Sequence, residues 1–496
     1  MKKQGEGLTA WQLTMLALGT VIGGSFFLGS AVAIHAAGPA IIIAYIAGGA
    51  LVYAILYALS EMTVADPAPG SFRTFAEKAF GTAVGFVVGW VYWTGLVLAM
   101  SSEAIAVSAL LRSWLPGVSL PLLGSVIIIL VTLLNLFGAE RLSKLESGLA
   151  AVKLIAIVGF VVLGVAIVSG LMPGVSNAGA GAVASQPILP GGIGGLAGSM
   201  LIVMFSYAGF EVLGLAASET ANPGKTVPQA ITYTVFGLVG LYVTAIAALV
   251  LLVPTTALTP EQSPLVTALA TWNFNWAGNI INIVLVTAIL STMLAAMFGL
   301  GRMLRSLADE GHAPVWMQDK GDIPYKGIGL SGFSMLAALG IGLLLPEQVY
   351  LFLVSSGGFS LLFSYFVILL THHKLRKSHG CPPDGQCQLP GFPATSLIAL
   401  ASIVLIIVSM PLIPGQGAGL FAGLGFVVLF SLIFLVANRF EKREISAVPS
   451  DKKDGNNQGI RAMEMQFETA QELTSETKPC KDQQAPRSQG TENDSN

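Results

Sequence analysis

Apolar residues are grouped along this chain in twelve long runs that short polar segments separate. Each run is long enough to cross a hydrocarbon layer of about 30 Å as an α-helix, and none has the short alternating pattern of a barrel strand. The predicted spans are 10–35, 40–60, 84–111, 120–138, 148–170, 191–217, 229–253, 279–305, 328–345, 349–371, 394–413 and 416–438.

Small residues interrupt the first run near its middle. The stretch Leu16–Ser30 contains the adjacent pair Gly23 and Gly24, followed by Ser25. Since glycine weakens a helix by roughly 1 kcal/mol relative to alanine, this cluster predicts local unwinding. Unwound backbone inside a membrane is tolerated only where it is buried in protein or lines a cavity. The freed N–H groups, at a helix N-terminus, predict a site for an anion such as a carboxylate.

The sixth run contains a second predicted break, at Ser206, Tyr207, Ala208 and Gly209, with Glu211 just beyond it. If runs one to five and six to ten form two repeats, the two breaks occupy equivalent places. The odd number of runs in each repeat inverts the second one relative to the first. Paired interruptions of this kind indicate a transporter's binding site, although small residues also serve ordinary helix packing in membranes.

The element order predicts an all-α integral membrane protein with two discontinuous helices, the first and the sixth, in a 5+5 inverted repeat. Two peripheral helices follow the ten-helix core. The predicted segments are a cytoplasmic N-terminus (1–9), a transport core (10–371, with repeats at about 10–170 and 191–371), a cytoplasmic loop (372–393), two peripheral spans (394–438) and a disordered polar tail (439–496).

Composition agrees with a membrane protein. Hydrophobic residues make up 54% of the 496 residues and charged residues only 10%, against about 25% charged in soluble domains. The net charge of −2 gives no indication of a nucleic-acid partner. We therefore expect membrane lipid and a small substrate as the partners; the sequence does not indicate an oligomeric state.

The basic residues predict the orientation in the membrane. The spans place 23 of the 25 Lys and Arg residues on one side of the membrane, Arg112 on the other side and Lys153 inside the membrane. Because basic residues favour the cytoplasmic side, we predict a multi-pass protein of the cytoplasmic membrane with both termini in the cytoplasm. The same orientation places Cys381, Cys387 and Cys480 in the cytoplasm, where free thiols are expected.

Five segments, in order, resemble the amino acid–polyamine–organocation (APC) superfamily, specifically its amino acid permeases. These segments are Val21–Ser30, Ser60–Phe72, Phe205–Glu211, Ser218–Ala230 and Gly301–Pro314. The resemblance extends from about Leu8 to Asn438 and implies a fold of the leucine-transporter type. One departure is that the family usually has glycine where this chain has Ser25.

The resemblance also implies where a substrate binds. Its carboxylate is expected at the N–H groups near Gly23, Gly24 and Ser25, and its ammonium at three freed carbonyl groups. Those carbonyls belong to Ile22, Phe205 and Ser206. Two half-helices supply both ends of a dipole, which suits a zwitterion. Three aromatic residues are candidates either to close over the substrate or to pack in the core: Phe26, Tyr207 and Phe210.

Lys153 is the main candidate for coupling transport to an ion, since an ionisable residue within a span is costly and by default functional. The alternative is that its long side chain snorkels to the interface. The resemblance favours a coupling role, because some proton-coupled family members have a similar lysine whose ammonium takes the place of a sodium ion. We then expect Lys153 near Gly19–Ile22 and Ser291, with the proton as coupling ion.

The remaining polar residues have less specific interpretations. Glu211 is predicted either to take up a proton or to form a structural hydrogen bond. Glu61 and Glu103 are predicted to be interfacial. The His and Cys residues between 372 and 387 match no standard metal pattern, and no phosphate loop or nucleophile elbow is present. We therefore expect no metal, no cofactor and no enzymatic activity.

The near absence of charge within the runs favours a neutral amino acid as substrate. Met100, Ser101, Ser355 and Ser356 are predicted to shape the pocket for its side chain. Exchange of an amino acid for its product or for a polyamine is an alternative to proton-coupled import. A sensor that binds without transport and an ion channel are alternatives of another class, although a channel would need a symmetric pore and repeated filter loops.

Overall fold

The computed structural model describes residues 8–447 except 67, 69, 173–180, 212, 215–219, 221, 260–261, 320, 322, 343–348 and 382–388. In this part of the chain the regular structure is helical, with no β-strand. The chain divides into a unit that ends at Phe434 and a second unit that begins at Leu435. Only residues 435–447 of the second unit are described, and they are helical.

The first half of the described chain contains the helices that form both breaks. They are α1 (Ala10–Val21), α2 (Ser30–Ala37), α3 (Ile41–Ala65), α4 (Phe72–Phe80), α5 (Thr82–Leu111), α6 (Leu120–Asn135), α7 (Ala139–Val168), α8 (Gly181–Ala184) and α9 (Gly192–Tyr207).

The second half contains long helices that surround them. They are α10 (Pro223–Leu252), α11 (Pro264–Thr271), α12 (Asn275–Asp309), α13 (Tyr325–Gly342), α14 (Val349–His379), α15 (Ala394–Ser409) and α16 (Gln416–Ala447).

A helix occupies each predicted run, and several helices extend further at their polar ends, because hydropathy marks the membrane and not the end of a helix. In the described residues, eight helical stretches are long and apolar enough to cross a membrane. Three shorter apolar helices, α1, α6 and α9, lie beside them. The count of twelve spans and the inverted repeat remain predictions.

The last helix continues several residues into the segment predicted as the polar tail. Helix α16 continues to Ala447, whereas the sequence placed the end of the last span at 438. The polar segment Glu441–Glu444 consists of residues with high helix propensity, so the helix can continue after the hydrophobic run ends. Residues 448–496 lie outside the described part of the chain.

The first span is broken where the sequence predicted it. Helix α1 starts with a capping box between Thr9 and Gln12 and ends at Val21. Ile22 then leaves the helical region, with φ −75° and ψ 99°. The chain resumes as a π-helical turn, Ser25–Gly29, which continues into α2. Such π-bulges occur frequently at functional sites.

The second break follows α9 at Tyr207, where Ala208 adopts φ −58° and ψ 148°. Gly209 has φ +103°, a conformation that side chains with a Cβ rarely adopt. A Cβ there would also lie 3.0 Å from the carbonyl oxygen of Thr20. Gly209 therefore allows the second break to approach the first closely.

The two breaks are in direct contact. The Thr20 hydroxyl donates a hydrogen bond to the Gly209 carbonyl at 3.3 Å, and the Ser206 hydroxyl donates one to the Ser25 carbonyl at 3.2 Å. Segments that are about 180 residues apart along the chain thus form one polar region within the protein.

Close packing of α5 against α14 supports this region from one side. A Cβ added at Gly357 of α14 would lie 2.9 Å from the Gly95 carbonyl oxygen and 3.0 Å from the Ala99 nitrogen. Both atoms belong to the backbone of α5, so neither can move without shifting a helix. A Cβ added at Gly340 of α13 would instead lie in open space.

We predict that Gly357→Ala lowers the free energy of unfolding by about 1–3 kcal/mol, the usual cost of overpacking. The matched control, Gly340→Ala, should be neutral or stabilising by up to about 1 kcal/mol, because it only adds helix propensity. Thermal unfolding of the detergent-solubilised variants measures both effects. Equal midpoints for the two variants would contradict the close approach of α5 and α14.

Candidate functional site

The N–H groups of the first break hold a carboxylate that belongs to the protein itself. The backbone nitrogens of Gly24 and Ser25 donate to the two oxygens of Glu103, at 2.7 Å and 3.1 Å. The Glu103 side chain is only 3% exposed. This site has the chemistry predicted for a substrate carboxylate, two backbone donors that point at one anionic group.

The prediction that Glu103 is interfacial was therefore wrong. Glu103 lies within α5, which continues for two further turns to Leu111. Position along a span does not show which face of the helix a residue occupies. Two charge-assisted hydrogen bonds offset much of the cost of burying the carboxylate. No pattern in the sequence indicates that their donors come from the first break.

Lys153 binds the opposite end of the same break. Its ammonium donates to the carbonyl oxygens of Gly19 at 2.5 Å and Ile22 at 3.1 Å. Longer contacts of 3.4 Å join it to the Ala288 carbonyl and the Thr292 hydroxyl on α12. The residue is completely buried, so the snorkelling alternative does not hold.

The neighbour of Lys153 on α12 differs from the one expected. The described contacts are with Ala288 and Thr292, while the Ser291 hydroxyl is buried without a hydrogen-bond partner. Successive residues on a helix point in directions about 100° apart. An error of one residue in the helical register therefore replaces Ser291 by Thr292.

Glu103 and Lys153 together bring one negative and one positive group to the two ends of the first break. The end of α1 offers carbonyl oxygens, and the π-helical turn offers N–H groups, as expected for the two poles of interrupted helices. An amino acid zwitterion carries the same two groups. The first break is thus able to bind a carboxylate and an ammonium at the same time.

The three carbonyls predicted to meet a substrate ammonium already accept hydrogen bonds. The Ile22 oxygen accepts from Lys153 and from the Thr292 hydroxyl at 3.1 Å. The Phe205 oxygen accepts from the backbone nitrogen of Ala208 at 3.1 Å. The Ser206 oxygen accepts from the Tyr242 hydroxyl at 3.1 Å. Since a carbonyl oxygen has two lone pairs, Phe205 and Ser206 each retain capacity for one more donor.

Glu211 fastens the second break to two other helices. Its carboxylate accepts hydrogen bonds from Tyr92 of α5 at 2.9 Å and from Tyr365 of α14 at 3.2 Å. It also accepts from the backbone nitrogen of Gly209 at 3.1 Å. Of the two roles predicted for Glu211, these contacts correspond to the structural hydrogen bond.

The aromatic candidates are packed in the core in this structure. Phe26 and Tyr207 are buried among other rings, and the Phe26 ring stacks on Tyr242 with centroids 4.0 Å apart. Phe210 packs against Tyr365, with centroids 4.8 Å apart. Tyr242 is a residue that the sequence analysis missed, because no motif distinguishes it from other tyrosines in apolar runs.

Of the four residues predicted to form the side-chain pocket, Ser101 and Ser355 form described hydrogen bonds to helix backbones, and the pocket itself stays a prediction. The Ser101 hydroxyl donates to the Val97 carbonyl at 2.8 Å and to the Met335 carbonyl of α13 at 3.2 Å. The Ser355 hydroxyl donates to the Leu351 carbonyl of its own helix at 2.5 Å. Met100 and Ser356 are buried, and the Ser356 hydroxyl has no hydrogen-bond partner.

The neighbours of Ser101 and Ser355 depend on the face of the helix that each residue occupies. Gly419 of α16 packs against Ser355, where an added Cβ would collide with the serine, so Ser355 faces a peripheral helix. Ser101 faces α13. A small polar residue in an apolar run can satisfy its hydroxyl on a helix backbone, and the sequence does not reveal the face it occupies.

Glu61 is also buried rather than interfacial, being 3% exposed. Its carboxylate lies 2.6 Å from the Nε2 atom of His372 and accepts hydrogen bonds from Arg376 at 3.1 Å and from the Leu389 backbone nitrogen at 2.5 Å. The tertiary structure thus gathers polar groups from α3, α14 and the segment before α15 at one point.

The thiol prediction needs one correction, since Cys381 is disulfide-bonded. The cellular compartment sets only the redox tendency, whereas a disulfide also depends on how closely the fold brings two sulfur atoms together. Cys387 and Cys480 lie outside the described residues. In the described part of the chain, no three His, Cys, Asp or Glu side chains are grouped so that they could hold a metal ion.

Comparison with known proteins connects this geometry to a family. The family model described as amino acid permease matches residues 12–447. The chain is 31% identical to the gamma-aminobutyric acid permease of Bacillus subtilis over 451 residues, which cover 89% of this chain and 96% of the relative. It is 34% identical to the gamma-aminobutyric acid permease of Escherichia coli over 383 residues, covering 75% and 81%. It is also 30% identical to the aromatic amino acid transport protein AroP of Escherichia coli over 455 residues, covering 89% and 97%.

The contacts of Lys153 lead to a prediction about stability without substrate. Lys153→Met should lower the free energy of unfolding by about 1–3 kcal/mol, because it leaves buried carbonyl groups of the first break without their donor. Lys225→Met on α10 removes an exposed lysine and should have little effect. Thermal unfolding in detergent compares the two variants, and an unchanged midpoint for Lys153→Met would show that its hydrogen bonds contribute nothing to the fold.

Proposed function

The chain belongs to the amino acid permease family, and we propose that it imports a small, neutral amino acid across the cytoplasmic membrane by alternating access, with the proton as coupling ion. The observation that carries this proposal is the binding of a carboxylate by the N–H groups of Gly24 and Ser25. In the proposed cycle the substrate carboxylate takes the place that Glu103 holds in this structure.

Glu103 gives a physical route to proton coupling. Two carboxylates cannot share the same pair of N–H donors, since like charges at that distance repel strongly. A proton on Glu103 removes its negative charge and weakens the hydrogen bonds that the N–H groups of Gly24 and Ser25 donate to it. These N–H groups can then donate to the substrate carboxylate. Release of the proton restores the contact and favours departure of the substrate. Binding of a proton and binding of a substrate thereby support each other.

Lys153 plays a second part in this proposal. It stays with the Gly19 and Ile22 carbonyls and supplies a fixed positive charge close to the substrate carboxylate. An ammonium at this point excludes a sodium ion from the same carbonyl oxygens. Transport is therefore driven by a proton gradient and needs no sodium.

Charge balance supports a substrate without net charge. Glu103 and Lys153 compensate each other at the first break, and the charge of Glu211 is taken up by two tyrosine hydroxyls and one backbone nitrogen. A cationic substrate would need a further acidic group that faces the breaks. The relatives are named for gamma-aminobutyric acid and aromatic amino acids, and both kinds of molecule are neutral zwitterions.

The proposed architecture follows the sequence interpretation. Twelve spans place both termini in the cytoplasm, and the first ten form two inverted repeats around the two breaks. The basic residues on one side of the predicted spans support this orientation. Residues 372–393 and 439–496 then lie on the cytoplasmic side.

Proteoliposomes that contain the purified full-length protein test the function. We expect saturable uptake of radiolabelled gamma-aminobutyric acid, L-phenylalanine or another neutral amino acid from a panel, driven by an inside-alkaline pH gradient without sodium. Uptake that requires an internal amino acid or polyamine and ignores the pH gradient would indicate an exchanger. Binding without uptake or counterflow would indicate a sensor.

Glu103→Gln tests the coupling step. The glutamine amide cannot release and take up a proton as the carboxyl group does. We therefore expect concentrative uptake in a pH gradient to fall to background, while the rate of counterflow stays within about twofold of the wild type. Ser108→Ala on the same helix is the matched control, because the Ser108 hydroxyl bonds only within α5 among the described contacts. Concentrative uptake by Glu103→Gln at the wild-type rate would remove Glu103 from the coupling mechanism.

A further inference from the structure

Four buried aromatic rings meet beside the two breaks, and Tyr242 of α10 touches the other three. Its ring stacks on Phe26 with centroids 4.0 Å apart and planes 7° apart. The centroid of Tyr207 lies 5.2 Å from it, and that of Tyr45 lies 5.8 Å from it. Each ring comes from a different helical element, and all four residues are at most 1% exposed.

The hydroxyl of Tyr242 completes a second contact. In an uninterrupted helix the Ser206 carbonyl would accept a hydrogen bond from the nitrogen of residue 210. Because α9 ends at Tyr207, that internal partner is lost. The Tyr242 hydroxyl donates to the Ser206 oxygen at 3.1 Å and so replaces the missing donor in a region where an unpaired carbonyl is costly.

We propose that Tyr242 is a positioning residue that couples the two breaks: its ring holds the first break through Phe26, and its hydroxyl holds the second through Ser206. Loosening of one break is then transmitted to the other through a single rigid side chain. The direct bond between Ser206 and Ser25 keeps the same two segments in register.

The position of the Ser206 carbonyl has a consequence for the substrate. Tyr242 occupies one lone pair of this oxygen and fixes the direction of the other, which remains available to a donor. Under the proposed transport function that donor is the substrate ammonium. Tyr242 therefore acts on substrate affinity through Ser206, without contact between its own hydroxyl and the substrate.

Hydrogen exchange of the purified full-length protein, without substrate, tests the coupling independently of transport. Tyr242→Phe removes only the hydroxyl, and Phe26→Leu removes only the stacked ring. Tyr233→Phe is the matched control, since Tyr233 lies on the same helix and is 52% exposed. The measured quantity is the rate of backbone amide hydrogen exchange in residues 22–29 and in residues 205–211.

We expect each variant to affect the segment it does not directly contact. Tyr242→Phe should speed exchange in residues 22–29 as well as in 205–211, and Phe26→Leu should speed exchange in 205–211. A rise of about fivefold corresponds to the loss of one hydrogen bond from the opening equilibrium. Tyr233→Phe should match the wild type. Effects confined to the directly contacted segment, or no effect at all, would overturn the coupling.

Transport kinetics supply the second measurement, with gamma-aminobutyric acid and L-phenylalanine as probes. A positioning role predicts that Tyr242→Phe raises KM by about fivefold with Vmax changed less than about twofold. A lower Vmax or melting temperature with unchanged KM would indicate a merely structural role and contradict the proposal. If the wild type transports no amino acid, the proposed function fails, while the exchange experiment still decides whether the two breaks are coupled.

Discussion

Every feature of the site depends on one constraint: a backbone N–H or C=O group inside a membrane must find a hydrogen-bond partner within the protein. Two interruptions in apolar helices expose several such groups at once. The structure satisfies them with side chains from neighbouring helices. Glu103 accepts hydrogen bonds from two N–H groups of the first break, and Lys153 donates to two carbonyl oxygens of the first span. Tyr242 donates to one carbonyl oxygen at the second break.

These partners stabilise the breaks, and the proposed function uses the same main-chain groups to bind a substrate. A carboxylate and an ammonium of the protein are held by the first break in this structure. In the proposed cycle the substrate carboxylate replaces Glu103 at the N–H groups of Gly24 and Ser25, while Lys153 keeps its carbonyl partners. Such an exchange keeps these N–H groups paired, and an unsatisfied buried group would cost about 1–3 kcal/mol.

Several polar side chains that are far apart in the sequence help to satisfy the backbone groups of the two breaks. Glu211 holds the second break through Gly209, and Thr20 and Ser206 join the two breaks directly. Gly209 permits this contact through its positive φ and its lack of a Cβ. The family match covers nearly all of the described helical part of the chain, including both breaks.

The sequence by itself determined the helical membrane class, the location of both breaks and the position of Lys153 within an apolar run, because hydropathy and glycine clusters act locally. It did not determine the partners of the freed groups. Glu103 was predicted to be interfacial, the neighbours of Ser101 and Ser355 were not identified, and Tyr242 was not singled out. Each of these depends on which face of a helix meets which neighbour, and a rotation of about 100° per residue changes that contact completely. Only the tertiary structure decides it, since contacts between helices join residues that are far apart in the chain.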